Sequence, residues 1–172
     1  MIPKLIISDI DGVWTDGGMY YDNHDVEMKK FNTYDSAGVI FCKSLNIPLS
    51  IITGEDISIV HRRMAKLGVE NYFPGIKNKL NIVENQIEIL KIKWEDVAFI
   101  GDDLNDIQLL KKVGFSACPS SAPEYIKKIV HCVMVKKGGD GVFREFVEYL
   151  LQANNILEST VNSIVENICY KQ

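Results

Sequence analysis

The sequence predicts an α/β protein: a doubly wound, Rossmann-like parallel sheet with helices on both faces and a β-hairpin inserted after the first strand. Three observations carry that prediction. Short apolar runs recur at residues 5–7, 47–52 and 97–100, each closed by turn or acidic residues, as buried strands are. Stretches of helical periodicity separate them, and strands alternating with helices pair in parallel. Each run also ends in polar groups, and in open α/β sheets ligands bind beyond the carboxyl ends of the strands.

The 172 residues fit one domain, taken as residues 1–172 with 152–172 as a C-terminal helical tail. Hydrophobic residues make up 47% and charged ones 24%, enough for an ordinary core and against disorder. A net charge of −4 gives no basic footprint for nucleic acid. No apolar run is long enough to span a bilayer, and Asp9 and Asp11 interrupt the N-terminal apolar stretch that a signal peptide would need. Cys42, Cys118, Cys132 and Cys169 form no C-x-x-C pair and read as reduced core thiols of a cytoplasmic protein.

Taken in order, the first strand runs from Leu5 into Asp9-Ile10-Asp11-Gly12. Residues 17–22 and 26–31 alternate around the polar Asn23-His24-Asp25 and predict the hairpin. A helix follows over 36–45, then the second buried strand, ending in Thr53-Gly54-Glu55 with a helix expected directly after it. That helix, 57–67, carries Ile59, Val60, Met64 and Leu67 on one face and Arg62, Arg63 and Lys66 off it. Tyr72-Phe73-Pro74 is extended, and 79–90 is amphipathic through Leu80, Val83, Ile87 and Leu90. The third strand ends in Gly101-Asp102-Asp103-Leu104-Asn105-Asp106; helix 107–113, strands 115–119 and 130–135, the loop Gly138-Gly139-Asp140-Gly141 and a helix over 142–151 complete the prediction.

Three strand ends therefore carry groups suited to phosphate chemistry. If the first strand persists to Asp9, alternation puts Asp9 and Asp11 on one side of the chain, and two close carboxylates call for a cation or a shared proton between them. Thr53-Gly54 offers a hydroxyl and a permissive backbone beside a helix N-terminus, which suits an anion. Asp102, Asp103 and Asp106 form a carboxylate cluster suited to a hard divalent cation. Lys79 opens a helix and could neutralise a phosphoryl oxygen. Each alone has an ordinary explanation: an acidic turn, a solvated lysine, helix-start acids complementing a dipole. Together, in order and each after a strand, they point to phosphoryl transfer.

This order of Asp-x-Asp-Gly, Thr, Lys and Gly-Asp-Asp-x-x-Asp resembles the haloacid dehalogenase superfamily over roughly residues 4–151. The resemblance implies Asp9 as a nucleophile that forms an aspartyl-phosphate and Asp11 as general acid, then base. It implies Thr53, Gly54 and Lys79 on the phosphoryl oxygens. Mg²⁺ would be held by Asp9, the Asp11 carbonyl and Asp102, with Asp103 or Asp106 in support. The stretches from Asp9 to Thr53 and from Thr53 to Lys79 are already filled by predicted elements, so no cap domain is expected.

Asp9-Ile10-Asp11-Gly12-Val13-Trp14-Thr15-Asp16-Gly17, Lys30-Phe31-Asn32-Thr33 and Gly138-Gly139-Asp140-Gly141-Val142-Phe143-Arg144-Glu145 are similar to the sugar-acid phosphate phosphatases. That resemblance implies a small sugar-acid phosphate as substrate and a homotetramer with packed hairpins. A basic residue commonly follows Thr-Gly in the branch acting on the 8-phosphate of 3-deoxy-octulosonate (KDO). Glu55 stands there here, with Arg63 and Lys66 further along the helix, which looks like the branch acting on nonulosonate 9-phosphates (KDN, sialic acid). The nine-carbon ester is thus the first expectation and KDO 8-phosphate the alternative, with Glu55, Arg63 and Lys66 as expected substrate contacts. A receiver-like signalling domain and a non-catalytic relative are the readings from other classes. The N-terminal Asp-x-Asp-Gly disfavours the first, and the intact Asp9, Asp11, Thr53, Lys79 and Asp102 set disfavours the second.

Overall fold

The computed structural model describes residues 2–24 and 26–169, the last two of them by backbone only. Its six-stranded sheet is parallel throughout, in the order β5-β4-β1-β6-β7-β8. The strands are β1 Leu5–Ser8, β4 Leu49–Ile52, β5 Asn71–Phe73, β6 Val97–Ile100, β7 Phe115–Cys118 and β8 Cys132–Val133. β1 is central: the chain first builds outward to β4 and β5, then returns to the other side of β1 for β6, β7 and β8. That reversal opens a crevice at the carboxyl end of β1, where such sheets take their ligands.

Alternation along the strands sorts the core into two layers. Ile6, Leu49, Ile51, Ala98 and Ile100 face α1 (Asp35–Ser44), α2 (Ser58–Leu67) and α6 (Val142–Ala153). Leu5, Ile7, Ile52, Val97 and Phe99 face α3 (Lys79–Leu90), α4 (Ile107–Leu110) and α5 (Glu124–Lys127). Both faces of the sheet are covered, which is why its strands read as near-continuous apolar runs. The C-terminal α7 (Leu157–Cys169) lies against α1 and α6, and residues 170–172 of the expected tail lie outside the described residues.

The hairpin is β2 (Tyr20–Tyr21) and β3 (Glu27–Met28), antiparallel with Tyr20 opposite Met28. Asp22 Oδ1 accepts from the amides of His24 and Val26, each at 2.8 Å, and so ties the turn; the third predicted turn residue, Asp25, lies outside the described residues. Among the described residues no cap domain is inserted. Cys42 and Cys118 are buried free thiols and Cys132 is half-buried; the side chain of Cys169 lies outside the described residues. Among the described residues no helix is long and apolar enough to cross a membrane.

α2 begins at Ser58, within one residue of the expected start, and Gly54–Ile57 form the loop between Thr53 and the helix. One departure from the sequence reading bears on the site. Leu104–Asp106 is a short 3₁₀ turn leading into α4, which aims three acids of that loop in different directions.

Candidate active site

A cavity of about 370 Å³ opens at the carboxyl ends of β1, β4 and β6. Asp9, Asp11, Thr53, Gly54, Glu55, Asp102 and Asp103 line it, so seven residues expected from the sequence converge in one place. Met19, Asn105 and Ser121 also contribute to its walls.

Asp9 follows directly on β1 and is buried. Its Oδ1 accepts the Ile10 amide at 2.7 Å and lies 2.9 Å from Lys79 Nζ, whereas its Oδ2 has no hydrogen-bond partner among the described residues. The carboxylate is thus held by one oxygen and left available by the other. Lys79, the first residue of α3, is also buried, and its Nζ reaches Asp106 Oδ1 at 2.7 Å. Asp106 Oδ2 in turn accepts the amides of Asp102 at 2.9 Å and Asp103 at 3.2 Å. Both Asp106 oxygens are therefore committed. Asp106 serves as the brace between Lys79 and the β6 loop, while Asp103 is exposed and caps the 3₁₀ turn through Leu104 N at 2.7 Å.

The electrostatics follow from this crowding. Burial, and next the Asp106 charge, hold the Asp9 carboxyl well above the usual carboxylate range, against the pull of Lys79. Burial opposes the Lys79 charge, but Asp9 and Asp106 outweigh it and hold the ammonium above its ordinary value. Burial, Asp106 and Asp103 push Asp102 up to about 7. Asp9, Asp102 and Asp106 each offer an oxygen within 4.8 Å of the others, and Asp102 Oδ1 is buried without a hydrogen-bond partner. A buried carboxylate oxygen with no donor is costly unless something positive meets it. An all-oxygen, carboxylate-rich donor set fits a hard divalent cation such as Mg²⁺.

Close backbone packing shapes the same corner. Gly12 has φ +79°, and a Cβ there would lie 1.9 Å from Asp102 Oδ2, so only glycine lets the two acidic loops meet. A Cβ on Gly138 would lie 1.9 Å from the Gly12 carbonyl oxygen, and the Gly139 amide donates to Val13 O at 2.9 Å. The glycine-rich loop, one of the stretches that carry the family resemblance, is the backing of the Asp9–Asp11 turn. Trp14 locks that turn to the core, stacked on Phe143 at 4.5 Å with Nε1 donating to Ser8 Oγ at 3.0 Å.

Asp11 is held differently. Lys29, just past β3, places Nζ 2.6 and 2.7 Å from its two oxygens, and Thr15 Oγ1 donates to Oδ1 at 3.2 Å. Sequence reading missed Lys29, since lysine is ordinarily exposed and nothing in its neighbours marks it. Thr53 is buried, with Oγ1 accepting from Glu55 N at 3.4 Å. Arg63 and Lys66, expected as substrate contacts, are not part of the cavity wall. Arg63 instead donates to Asn32 O at 3.2 Å and lies over the Phe31 ring, and Lys66 is exposed. Lys79, expected on the phosphoryl oxygens, stands behind Asp9 rather than on the wall.

A capless α/β sheet with a strand-end carboxylate, a buried lysine behind it and an acidic loop beside it defines a hydrolase built for phosphate esters. Residues 72–146 match the family model described as haloacid dehalogenase-like hydrolase. Over 155 residues the chain is 37% identical to the 3-deoxy-D-manno-octulosonate 8-phosphate phosphatase KdsC of Salmonella typhi, covering 90% of this chain and 82% of that protein. The Haemophilus influenzae KdsC is 34% identical over 150 residues, covering 87% and 83%. The crystal structure of the octulosonate 8-phosphate phosphatase of Moraxella catarrhalis, in complex with magnesium, phosphate and KDO, gives a TM-score of 0.89 at 31% identity, over 94% of this chain and 93% of that one. The chain belongs to the haloacid dehalogenase-like hydrolases.

Proposed function

We propose that this phosphoric monoester hydrolase removes the 8-phosphate of 3-deoxy-D-manno-octulosonate, using Mg²⁺ and an aspartyl-phosphate intermediate on Asp9. The observation that carries the reading is the convergence of Asp9, Asp11, Thr53 and Asp102 on one cavity, in a chain whose relatives bear that activity over most of their length. The eight-carbon ester, supported by these relatives, thereby takes precedence over the nine-carbon ester that Glu55, Arg63 and Lys66 suggest.

In the first step the untied Asp9 oxygen attacks phosphorus, the bond to the sugar oxygen breaks, and Asp11 gives that oxygen a proton. In the second, water attacks the aspartyl-phosphate, Asp11 takes the water proton, and Asp9 leaves as a carboxylate. Thr53 and the Gly54 backbone hold phosphoryl oxygens. Lys79 keeps Asp9 oriented and adds positive charge behind it. Asp9, the Asp11 carbonyl and Asp102 would hold Mg²⁺, whose charge offsets repulsion between Asp9 and the incoming phosphate. Asp103 and Asp106 support from the loop.

The hairpin exposes Met19, Tyr20, Tyr21, Val26 and Met28, a set of large apolar side chains on one small element. A homotetramer joined through the hairpins would cover them and wall an otherwise open site. The buried free thiols Cys42 and Cys118 support a reducing, cytoplasmic setting for the enzyme.

Phosphate release from octulosonate 8-phosphate and from a nonulosonate 9-phosphate, each with Mg²⁺ and with EDTA, tests the assignment. The expected result is a kcat/KM at least about tenfold higher for the eight-carbon ester, a difference of roughly 1.4 kcal/mol, and none without the cation. Preference for the nine-carbon ester would overturn the substrate assignment, and full activity in EDTA would overturn the cation.

A further inference from the structure

Lys29 is the second buried lysine at this site and has no part in the mechanism above. Its side chain is wholly inaccessible, while that of Asp11 is 26% exposed. A carboxylate so open to water does not need a buried ammonium for its own stability, whereas burying a lysine is costly unless its counter-ion is fixed. Nζ meets both Asp11 oxygens, at 2.6 and 2.7 Å, and Thr15 Oγ1 holds Oδ1 from within the Asp9–Gly17 turn. With both oxygens engaged, these contacts set the plane of the carboxylate.

We propose that Lys29 is a positioning residue for the reaction: it fixes the Asp11 carboxylate at the distance and angle needed to hand a proton to the leaving sugar oxygen and to take one from the attacking water. The proposal rests on the reading of Asp11 as acid and base, and deepens it by giving the hairpin a catalytic consequence. Lys29 is separated from the exposed Met28 by one peptide bond, so the element that carries the apolar outer patch also carries the group that orients Asp11. Misplacing a catalytic group by about 1 Å can cost about a hundredfold in rate.

The test compares kcat/KM, which reports the chain of steps up to loss of the leaving group, for two esters in Mg²⁺. Octulosonate 8-phosphate expels an alkoxide that needs Asp11's proton; p-nitrophenyl phosphate expels a phenolate that does not. Lys29→Met, which keeps the stem and removes the charge, is expected to lose about thirtyfold or more on the sugar ester and less than about threefold on the aryl ester. Lys29→Arg keeps the charge with altered geometry and should show the same sign at smaller size. If the Met variant does not fold, the Arg variant decides alone, a ratio shift of about threefold or more being the expected result. Equal losses on both esters, or no loss, overturn the proposal. Asp11→Asn in the same panel separates the two ideas. If it shows the leaving-group dependence and the Lys29 variants do not, the positioning role falls and the Asp11 reading stands. If neither shows it, both fall.

Discussion

Asp9 and Asp11 stand two residues apart on one turn, and each is held by a buried lysine, yet the two pairs are built in opposite ways. Lys79 comes from the first turn of α3, a core helix, and is itself braced by Asp106, which also grips the β6 loop through two amides. Lys29 comes from the edge of a hairpin of two-residue strands whose outer face is exposed apolar surface. One oxygen of Asp9 is left untied, whereas both oxygens of Asp11 are engaged. The difference matches the two tasks proposed for them. A nucleophile needs a fixed carboxylate with one free oxygen, while an acid-base group needs orientation on a partly open side where product and water pass.

The largest effect should come from the Asp9 side of this contrast. Asp9→Asn is expected to lower turnover by at least about a thousandfold with the fold retained, since no other group reaches the same position. Near-normal phosphate release from that variant would dissolve the distinction between the two acids. Next comes the brace. Asp106→Ala removes a carboxylate that holds Lys79 and two amides at once, and should destabilise the protein by roughly 3 kcal/mol in urea unfolding. A change under about 0.5 kcal/mol would mean that the Asp9 side is no more rigidly built than the Asp11 side.

The pH dependence of cation binding probes the same cluster. Asp102 is pushed up to about 7 by burial and by Asp106 and Asp103, so below that pH it carries a proton that a cation must displace. Apparent Mg²⁺ affinity should fall about tenfold per pH unit below 7 and level off above it, as read from Mg²⁺ titrations of activity between pH 5.5 and 8.5. The stability sign is the reverse. The folded carboxyl sits above its unfolded value of 3.8, so the metal-free protein loses stability as pH rises from that value to about 7 and no further above it, and Mg²⁺ offsets that loss at the upper end. A pH-independent affinity would place the cation elsewhere.

Much of this arrangement is legible in the amino-acid sequence. Asp9, Thr53 and Asp102 follow closely on strands that the apolar runs mark, and the cavity gathers them with Asp11, which reaches it from the turn after β1. Lys79 was found at the start of its helix, but not that it would be buried behind Asp9, because that depends on Asp106 returning from a 3₁₀ turn 27 residues later. Lys29 left no trace in the sequence: its burial is a property of how the hairpin folds back on the turn. Arg63 shows the converse. Its helical spacing made it available, but its guanidinium folds onto Phe31 and Asn32, a contact between segments far apart in the chain. The glycines at 12 and 138 are explained only by the close approach of three loops that periodicity cannot foresee.

The smallest expected effect belongs to Glu55, an exposed member of the cavity wall whose side chain has no hydrogen-bond partner among the described residues. A hydrogen bond to a sugar hydroxyl would contribute about 1 kcal/mol, so Glu55→Ala should lower kcat/KM on the sugar ester by about fivefold. It should leave p-nitrophenyl phosphate unaffected. Equal losses on both esters would make Glu55 a loop-shaping residue rather than a sugar contact.

The central claim is that the two acids divide the chemistry, with Asp9 alone carrying the phosphoryl group. Rapid quenching of the Mg²⁺ enzyme with ³²P-labelled substrate, followed by peptide mapping, tests it most directly. The account predicts label on the peptide containing residues 5–15, lost in Asp9→Asn and enhanced in Asp11→Asn with an aryl phosphate, where the second step lacks its base. Label on any other peptide, or undiminished labelling and turnover in Asp9→Asn, would contradict it.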